Sequence, residues 1–203
     1  MGVLGKMLKH PTRASLGNKY SFRYAAANGN IEFLEWLKDN GCPWGKSVYI
    51  FVIRYGNCRL KVLKWLRANG CPLDEGLLSF AAQHARIEIL QWLKDIGCPW
   101  ECITMANAAY TGRLDILKWL KNNGCPWGEM ACSNAAARGH FEVLKWLRDN
   151  GCPWGWNTTT SAASENYLEI LKWTIENGCY YDVSLLRSFA AGHAMILEYL
   201  NTL

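Results

Sequence analysis

Apolar positions along the chain follow two alternating patterns. In the first, large side chains return at helical spacing, as in Leu114, Leu117, Trp119 and Leu120 and again in Phe141, Leu144, Trp146 and Leu147, while Asp115, Lys118 and Lys121 fall outside that face. Such spacing predicts short amphipathic helices. In the second, an Ala-Ala pair sits in a variable stretch that stops at the Gly of Ala-x-x-Gly, which predicts a preceding helix that packs closely through alanine. Asn-Gly ends each amphipathic segment, because Gly readily takes the left-handed conformation of a helix C-terminus, and the Pro that follows prevents continuation.

The two patterns recur in register. Gly-Cys begins at Gly41, Gly70, Gly97, Gly124, Gly151 and Gly178, in steps of 29, 27, 27, 27 and 27, and Trp36, Trp65, Trp92, Trp119, Trp146 and Trp173 repeat those steps. A unit of 27 residues cannot bury its own apolar face, whereas a stack of such units builds a continuous core. The chain is therefore expected to be all-α, a helical solenoid of about seven helix-turn-helix units starting near Tyr20, Lys46, Glu75, Glu101, Glu129, Trp156 and Val183, the last a truncated unit ending at Leu203. The second unit carries two additional residues around Asn57 and Cys58. Residues 1–19 do not match and read as a basic N-terminal cap broken at Pro11, followed by an array over 20–203.

The string Ala135-Ala136-Ala137-Arg138-Gly139-His140-Phe141-Glu142-Val143-Leu144-Lys145-Trp146-Leu147 resembles the core of the ankyrin repeat, and Asn150-Gly151-Cys152 stands where that family has Gly-Ala after its second helix. The resemblance covers about 180 of the 203 residues and departs from the family in length. An ankyrin unit has about 33 residues and opens with a β-turn finger carrying Thr-Pro-Leu-His. That tetrapeptide is missing here, so β-fingers should be shortened or absent. The Asn-Gly-Cys-Pro-Trp variant resembles ankyrin-like arrays of large DNA viruses and some protists, which would imply a role in host-virus interaction.

Composition fits this frame. Half of the residues are apolar and 19% are charged, enough to bury a core, and the nine Cys and eleven Trp are mostly a count of repeats. No apolar run approaches the roughly 18 residues of a membrane span, and no secretory signal is evident at the N-terminus, so a cytoplasmic address with free thiols is expected, the host cytoplasm if the protein is viral. The net charge of +5 comes with a basic stripe on the second helices: Lys64, Lys118, Lys145 and Lys172 in one column, and Lys38, Arg67, Lys94, Lys121 and Arg148 in another. Asp115, Glu142 and Glu169 precede lysines by three residues, and Asp39, Asp95 and Asp149 lie at helix ends, so a compensated solvated face is expected.

Little points to catalysis. The repeat cysteines are expected to be buried small apolar residues, too far apart for disulfides. Cys98 and Cys102 have no second pair to complete a zinc site, Gly41 to Ser47 is too short and wrongly placed for a phosphate-binding loop, and Asn157-Thr158-Thr159 is a glycosylation sequon in form only. His84, His140 and His193 sit at the turn between helices; for the last two the family resemblance implies imidazoles bonded to backbone groups. Trp44, Trp100, Trp127 and Trp154 are expected to join adjacent repeats, whereas Trp156 lies in a variable slot and is a candidate exposed anchor.

No enzyme, cofactor, metal or small-molecule substrate is therefore expected. In ankyrin proteins the partner touches the concave face, including the two residues after Ala-Ala. Carried onto this chain, that implies partner-binding residues Arg54, Tyr55, Gln83, His84, Tyr110, Thr111, Arg138, Ser164 and Glu165, joined by Trp156 from its variable slot. Tyr and Arg are typical interface anchors. The expected function is a protein-binding scaffold or adaptor, monomeric or self-associating. The alternatives are a structural or assembly component, for example of a virus particle, and nucleic-acid binding along the basic stripe, which is less favoured.

Overall fold

The computed structural model describes residues 20–55, 60–84 and 86–203. The proposed cap at 1–19 and the insertion around Asn57 and Cys58 lie outside the described residues. The described chain is helical, with fourteen helices and no strand: α1 (Tyr20–Asn28), α2 (Ile31–Asp39), α3 (Ser47–Tyr55), α4 (Leu60–Ala68), α5 (Leu77–His84), α6 (Ile87–Asp95), α7 (Cys102–Tyr110), α8 (Leu114–Asn122), α9 (Glu129–Ala137), α10 (Phe141–Asp149), α11 (Trp156–Ser164), α12 (Leu168–Glu176), α13 (Val183–Phe189) and α14 (Ala194–Leu200). Most odd-numbered helices carry the Ala-Ala pair or run up to it, with Val52-Ile53 in its place in α3, and even-numbered ones carry variants of Leu-Lys-Trp-Leu.

Two compact units divide the chain. The first reaches through Leu77 and takes in His84–Cys98; the second is Leu78–Gln83 with Pro99–Leu203. Each is a stack of helix pairs, the arrangement of a helical solenoid. In the second unit α9 lies between α7 and α11, and α13 packs on α11; in the first, α1 packs on α3.

Burial follows from this stacking. The first helix of a pair has neighbours on both sides, so most of its circumference is covered: Ala131, Cys132, Ala135 and Ala136 of α9 are all fully buried. Small side chains let three such helices lie side by side. The second helix is covered on one face only, and in α8 Ile116, Leu117 and Leu120 are fully buried. Each contributes roughly 1.5–3 kcal/mol by leaving water. Trp119 and Trp146, expected on that face, are only half-buried at its edge.

The Asn-Gly-Cys-Pro motif ends the second helix residue by residue. After α10, Asn150 donates from Nδ2 to the Trp146 carbonyl at 2.7 Å. Gly151 then takes φ +83°. This turns its N–H onto the Arg148 carbonyl at 2.9 Å and that of Cys152 onto the Leu147 carbonyl, also at 2.9 Å. These are the two bonds of a Schellman cap, a turn that favours Gly. Pro153 and Trp154 then lead to α11 across a linker of six residues, 150–155, with no β-finger.

The Cys thiol closes the unit. In four repeats the sulfur faces the backbone carbonyl at the start of its own first helix: Cys71 to Gly45 at 3.6 Å, Cys125 to Glu101 at 3.8 Å, Cys152 to Gly128 at 3.6 Å and Cys179 to Gly155 at 3.3 Å. These four cysteines are buried, whereas Cys42 and Cys98 are only half-buried, a departure from the uniform burial expected.

Candidate interaction surfaces

Contacts between successive repeats decide which side chains remain for a partner. The Trp of Cys-Pro-Trp meets the second-helix Trp of the next repeat edge to face: Trp44 with Trp65 at 5.8 Å between centroids, Trp100 with Trp119 at 6.1 Å, Trp127 with Trp146 at 6.4 Å and Trp154 with Trp173 at 5.5 Å. That is the favoured geometry for aromatic pairs, and it makes this ladder a packing element.

Part of the basic stripe is absorbed in the same way. Lys38 Nζ donates to Asn69 Oδ1 of the next repeat at 2.7 Å. Lys121 makes the equivalent bond to Asn150 and lies 5.3 Å from the Trp127 ring and 5.9 Å from the Trp146 ring. Arg148 stacks 4.0 Å over Trp154 and donates to the Cys152 carbonyl at 2.6 Å. The compensation expected from acidic neighbours holds for Lys145, which meets Glu142 at 2.9 Å. It fails for Lys118, because Asp115 is gripped by Arg113 through two bonds of 3.1 and 2.9 Å, whose paired geometry a single ammonium cannot match. Asp95 accepts from Gln91 at 2.7 Å.

The turn between helices is fixed by ring nitrogens, as expected for His140 and His193. His140 Nε2 lies 3.1 Å from the Tyr110 carbonyl and His193 Nε2 2.9 Å from the Ser164 carbonyl, each reaching back to the preceding repeat. A carbonyl only accepts, so both nitrogens carry the proton. Tyr167 occupies the equivalent position after α11. Its ring sits so near Gly139, at φ +70°, that an added Cβ would lie 2.6 Å from Cε1.

Nine of the ten predicted partner-binding residues lie at the C-terminal ends of first helices. In the first unit Tyr55 is 60% exposed, Arg54 lies 5.6 Å over its ring, and Phe51 and Tyr24 extend the aromatic strip with centroid distances of 4.8 and 5.7 Å. Tyr24 and Phe51 were missed by the sequence reasoning, although their 27-residue spacing signals them. His84 is half-buried nearby, and burial, with the Arg54 charge in support, holds its pKa below the ordinary histidine value. In the second unit Arg138 stacks 4.6 Å over Tyr110 of the preceding repeat, Glu165 is exposed and Gln83 is half-buried. Thr111 and Ser164 spend their hydroxyls on their own helices: Thr111 Oγ1 lies 3.3 and 3.2 Å from the Asn107 and Ala108 carbonyls, and Ser164 Oγ lies 3.1 Å from that of Ser161.

Trp156 is elsewhere. It opens α11 while Ser164 closes it, so a helix of nine residues, rising about 12 Å, separates them.

Thiol chemistry is muted. Burial pushes Cys71 and Cys125 up to about 12 and Cys179 to about 11, so these thiols stay protonated at neutral pH. Cys132 is raised by its hydrogen bond with Cys152 and by burial. Among the described residues no group of three or more His, Cys, Asp or Glu could hold a metal ion, and no helix is long and apolar enough to cross a membrane. The Gly41 to Ser47 segment has structural partners: Lys46 pairs with Asp74 at 2.8 Å and Ser47 Oγ accepts from Arg23 at 2.8 Å.

A family model for ankyrin repeats matches residues 105–184 in three copies. Residues 105–184 are ankyrin repeats. They lie wholly within the second unit, and the 27-residue pattern continues on either side of them. No curated protein matches the chain. Similar solved structures include the pentatricopeptide repeat protein PPR10 in complex with an 18-nt psaJ RNA element, and a cysteine-to-serine variant of it with the same RNA; each is 15% identical, with a TM-score of 0.43, over 98% of this chain and 34% of that one. The chain thus spans about a third of the length of those proteins. Ankyrin repeats generally mediate protein-protein interaction and are typically not enzymes.

Proposed function

We propose that the protein is a non-enzymatic scaffold that binds another protein through the C-terminal ends of its first helices. The observation that carries this reading is the pairing of exposed tyrosine with arginine at positions the repeat leaves free: Tyr55 with Arg54, and Tyr110, 39% exposed, with Arg138. Such pairs offer large apolar area at low entropic cost together with a directional cation. The helices beneath them are held by backbone bonds and buried side chains, Val52 and Ile53 in α3 and alanines in α7 and α9, so little ordering accompanies association.

Replacement of Arg54, Tyr55, Tyr110 and Arg138 together by Ala is the test. Full chain and variant are used as bait in affinity purification from the native cell, with thermal unfolding measured in parallel. Loss of a specific partner at unchanged melting temperature supports the reading. Undiminished capture moves the interface to another surface, and salt-sensitive retention on nucleic acid in place of a protein partner replaces the reading altogether.

A further inference from the structure

The opposite ends of the first helices in the second unit carry different chemistry. Most of the ladder tryptophans there are engaged from within: Trp154 by Arg148 and Trp127 by Lys121. Trp156, two residues past Trp154, leaves 46% of its surface exposed.

Backbone contacts on either side of it bring in residues of the neighbouring repeats. The Glu129 carboxylate lies against the residue just before Trp156, since a Cβ on Gly155 would stand 2.9 Å from Glu129 Oε2. Gly155 therefore makes room for the acid. On the other side Thr159 Oγ1 lies 2.9 Å from the Trp156 carbonyl and 3.2 Å from that of Tyr180, which brings those two backbones together. Tyr180 is 67% exposed, and Met130, beside Glu129, is 47% exposed. Glu129 is exposed and makes no ion pair among the described residues.

We infer that Trp156, Tyr180 and Glu129 form a second docking point, whose occupant is a Lys- or Arg-bearing segment of a protein partner. A cation is the complement of these three side chains: indole and phenol faces attract it through their quadrupoles, and the carboxylate beside Gly155 supplies the counter-charge. Met130 offers apolar surface to the aliphatic stem of such a side chain. Arg148 on Trp154 shows the same indole-cation pairing inside the molecule. This site stands apart from the Tyr-Arg surface, at the other end of α11, so the two succeed or fail independently.

The test uses the full chain and two synthetic 12-residue peptides, one carrying Arg and Lys among Gly and Ser, the other with every Arg and Lys replaced by Gln. Binding is read by peptide anisotropy and by the indole N–H resonance of Trp156. The basic peptide should bind at least roughly ten-fold more tightly than the neutral one, Trp156→Leu should weaken it roughly ten-fold and Glu129→Gln about three-fold, with Arg138→Ala unchanged. Trp156→Leu keeps an apolar residue at the helix start, and an unchanged melting temperature shows that the loss is local. Equal affinity for both peptides, wild-type affinity in either site variant, or no binding at millimolar peptide overturns the proposal. Partner capture by the variant lacking the four Tyr and Arg side chains reports separately on the Tyr-Arg surface.

Discussion

Thr158 and Thr104 occupy equivalent places in α11 and α7, two repeats apart, and their hydroxyls have opposite fortunes. Thr158 is completely buried and its Oγ1 has no hydrogen-bond partner. Thr104 is equally buried, but its Oγ1 meets Ser79 Oγ at 2.7 Å and accepts from the Glu101 backbone N–H at 3.3 Å, closing a capping box. An unsatisfied buried hydroxyl costs about 1–3 kcal/mol, whereas Val fills nearly the same volume without the polar atom and differs little in helix propensity. The slot accepts it, because Val48 stands there in α3. Thr158→Val should therefore stabilise the protein by about 1 kcal/mol, raising the melting temperature by about 2–4 °C. Thr104→Val removes two bonds and leaves Ser79 short of a partner, so it should destabilise by about 1–2 kcal/mol. Urea unfolding followed by far-UV circular dichroism reads both. A Thr158→Val midpoint at or below the wild-type value, or shifts of the same sign in the two variants, would refute the assignment of cost to the orphaned hydroxyl.

Gly139→Ala should destabilise by roughly 1–3 kcal/mol, because the new Cβ meets the Tyr167 ring and φ +70° is strained for Ala; a loss below about 0.5 kcal/mol in the same unfolding assay would mean the turn relaxes freely. Iodoacetamide at pH 8 should label exposed Cys102 rapidly and leave Cys71, Cys125 and Cys179 unmodified until urea unfolds the chain, with peptide mass spectrometry as readout; early labelling of the buried three would contradict their raised pKa values. His84, held below its ordinary 6.5, binds fewer protons folded than unfolded. Its contribution to stability is thus present above pH 6.5 and is lost as pH falls toward the folded value, so His84→Gln should flatten that part of the stability-pH curve, and an unchanged slope would exclude the effect.

What was legible in the sequence was what one repeat does for itself. Asn150, Gly151, Cys152 and Pro153 act on the helix that precedes them, so their spacing alone predicts the cap and the stop. The Trp pairs were also within reach, because two aromatic ladders repeated in register are placed to meet across each repeat boundary. The charges were less legible. Asp115 prefers the fork of Arg113, two residues before it, to Lys118, and Lys38 goes to Asn69 across the repeat boundary; a rule about spacings within one helix anticipates neither.

The same distinction governs the binding surfaces. Variability between repeats singles out Arg54, Tyr55, Tyr110 and Arg138, and Tyr55 and Tyr110 keep 60% and 39% of their surface exposed. It grouped Trp156 with them only because it, too, varies. Helix length separates the two: position nine of a first helix faces the turn and position one faces the linker, about 12 Å away. A short linker without a β-finger sharpens the separation, because Gly155 and Trp156 follow Trp154 directly and leave Gly155, the residue before Trp156, beside Glu129, a carboxylate that the preceding repeat places at the opening of its own first helix. The loss of the finger thus leaves the linker edge open, with an aromatic-acidic chemistry distinct from the tyrosine-arginine chemistry at the turns.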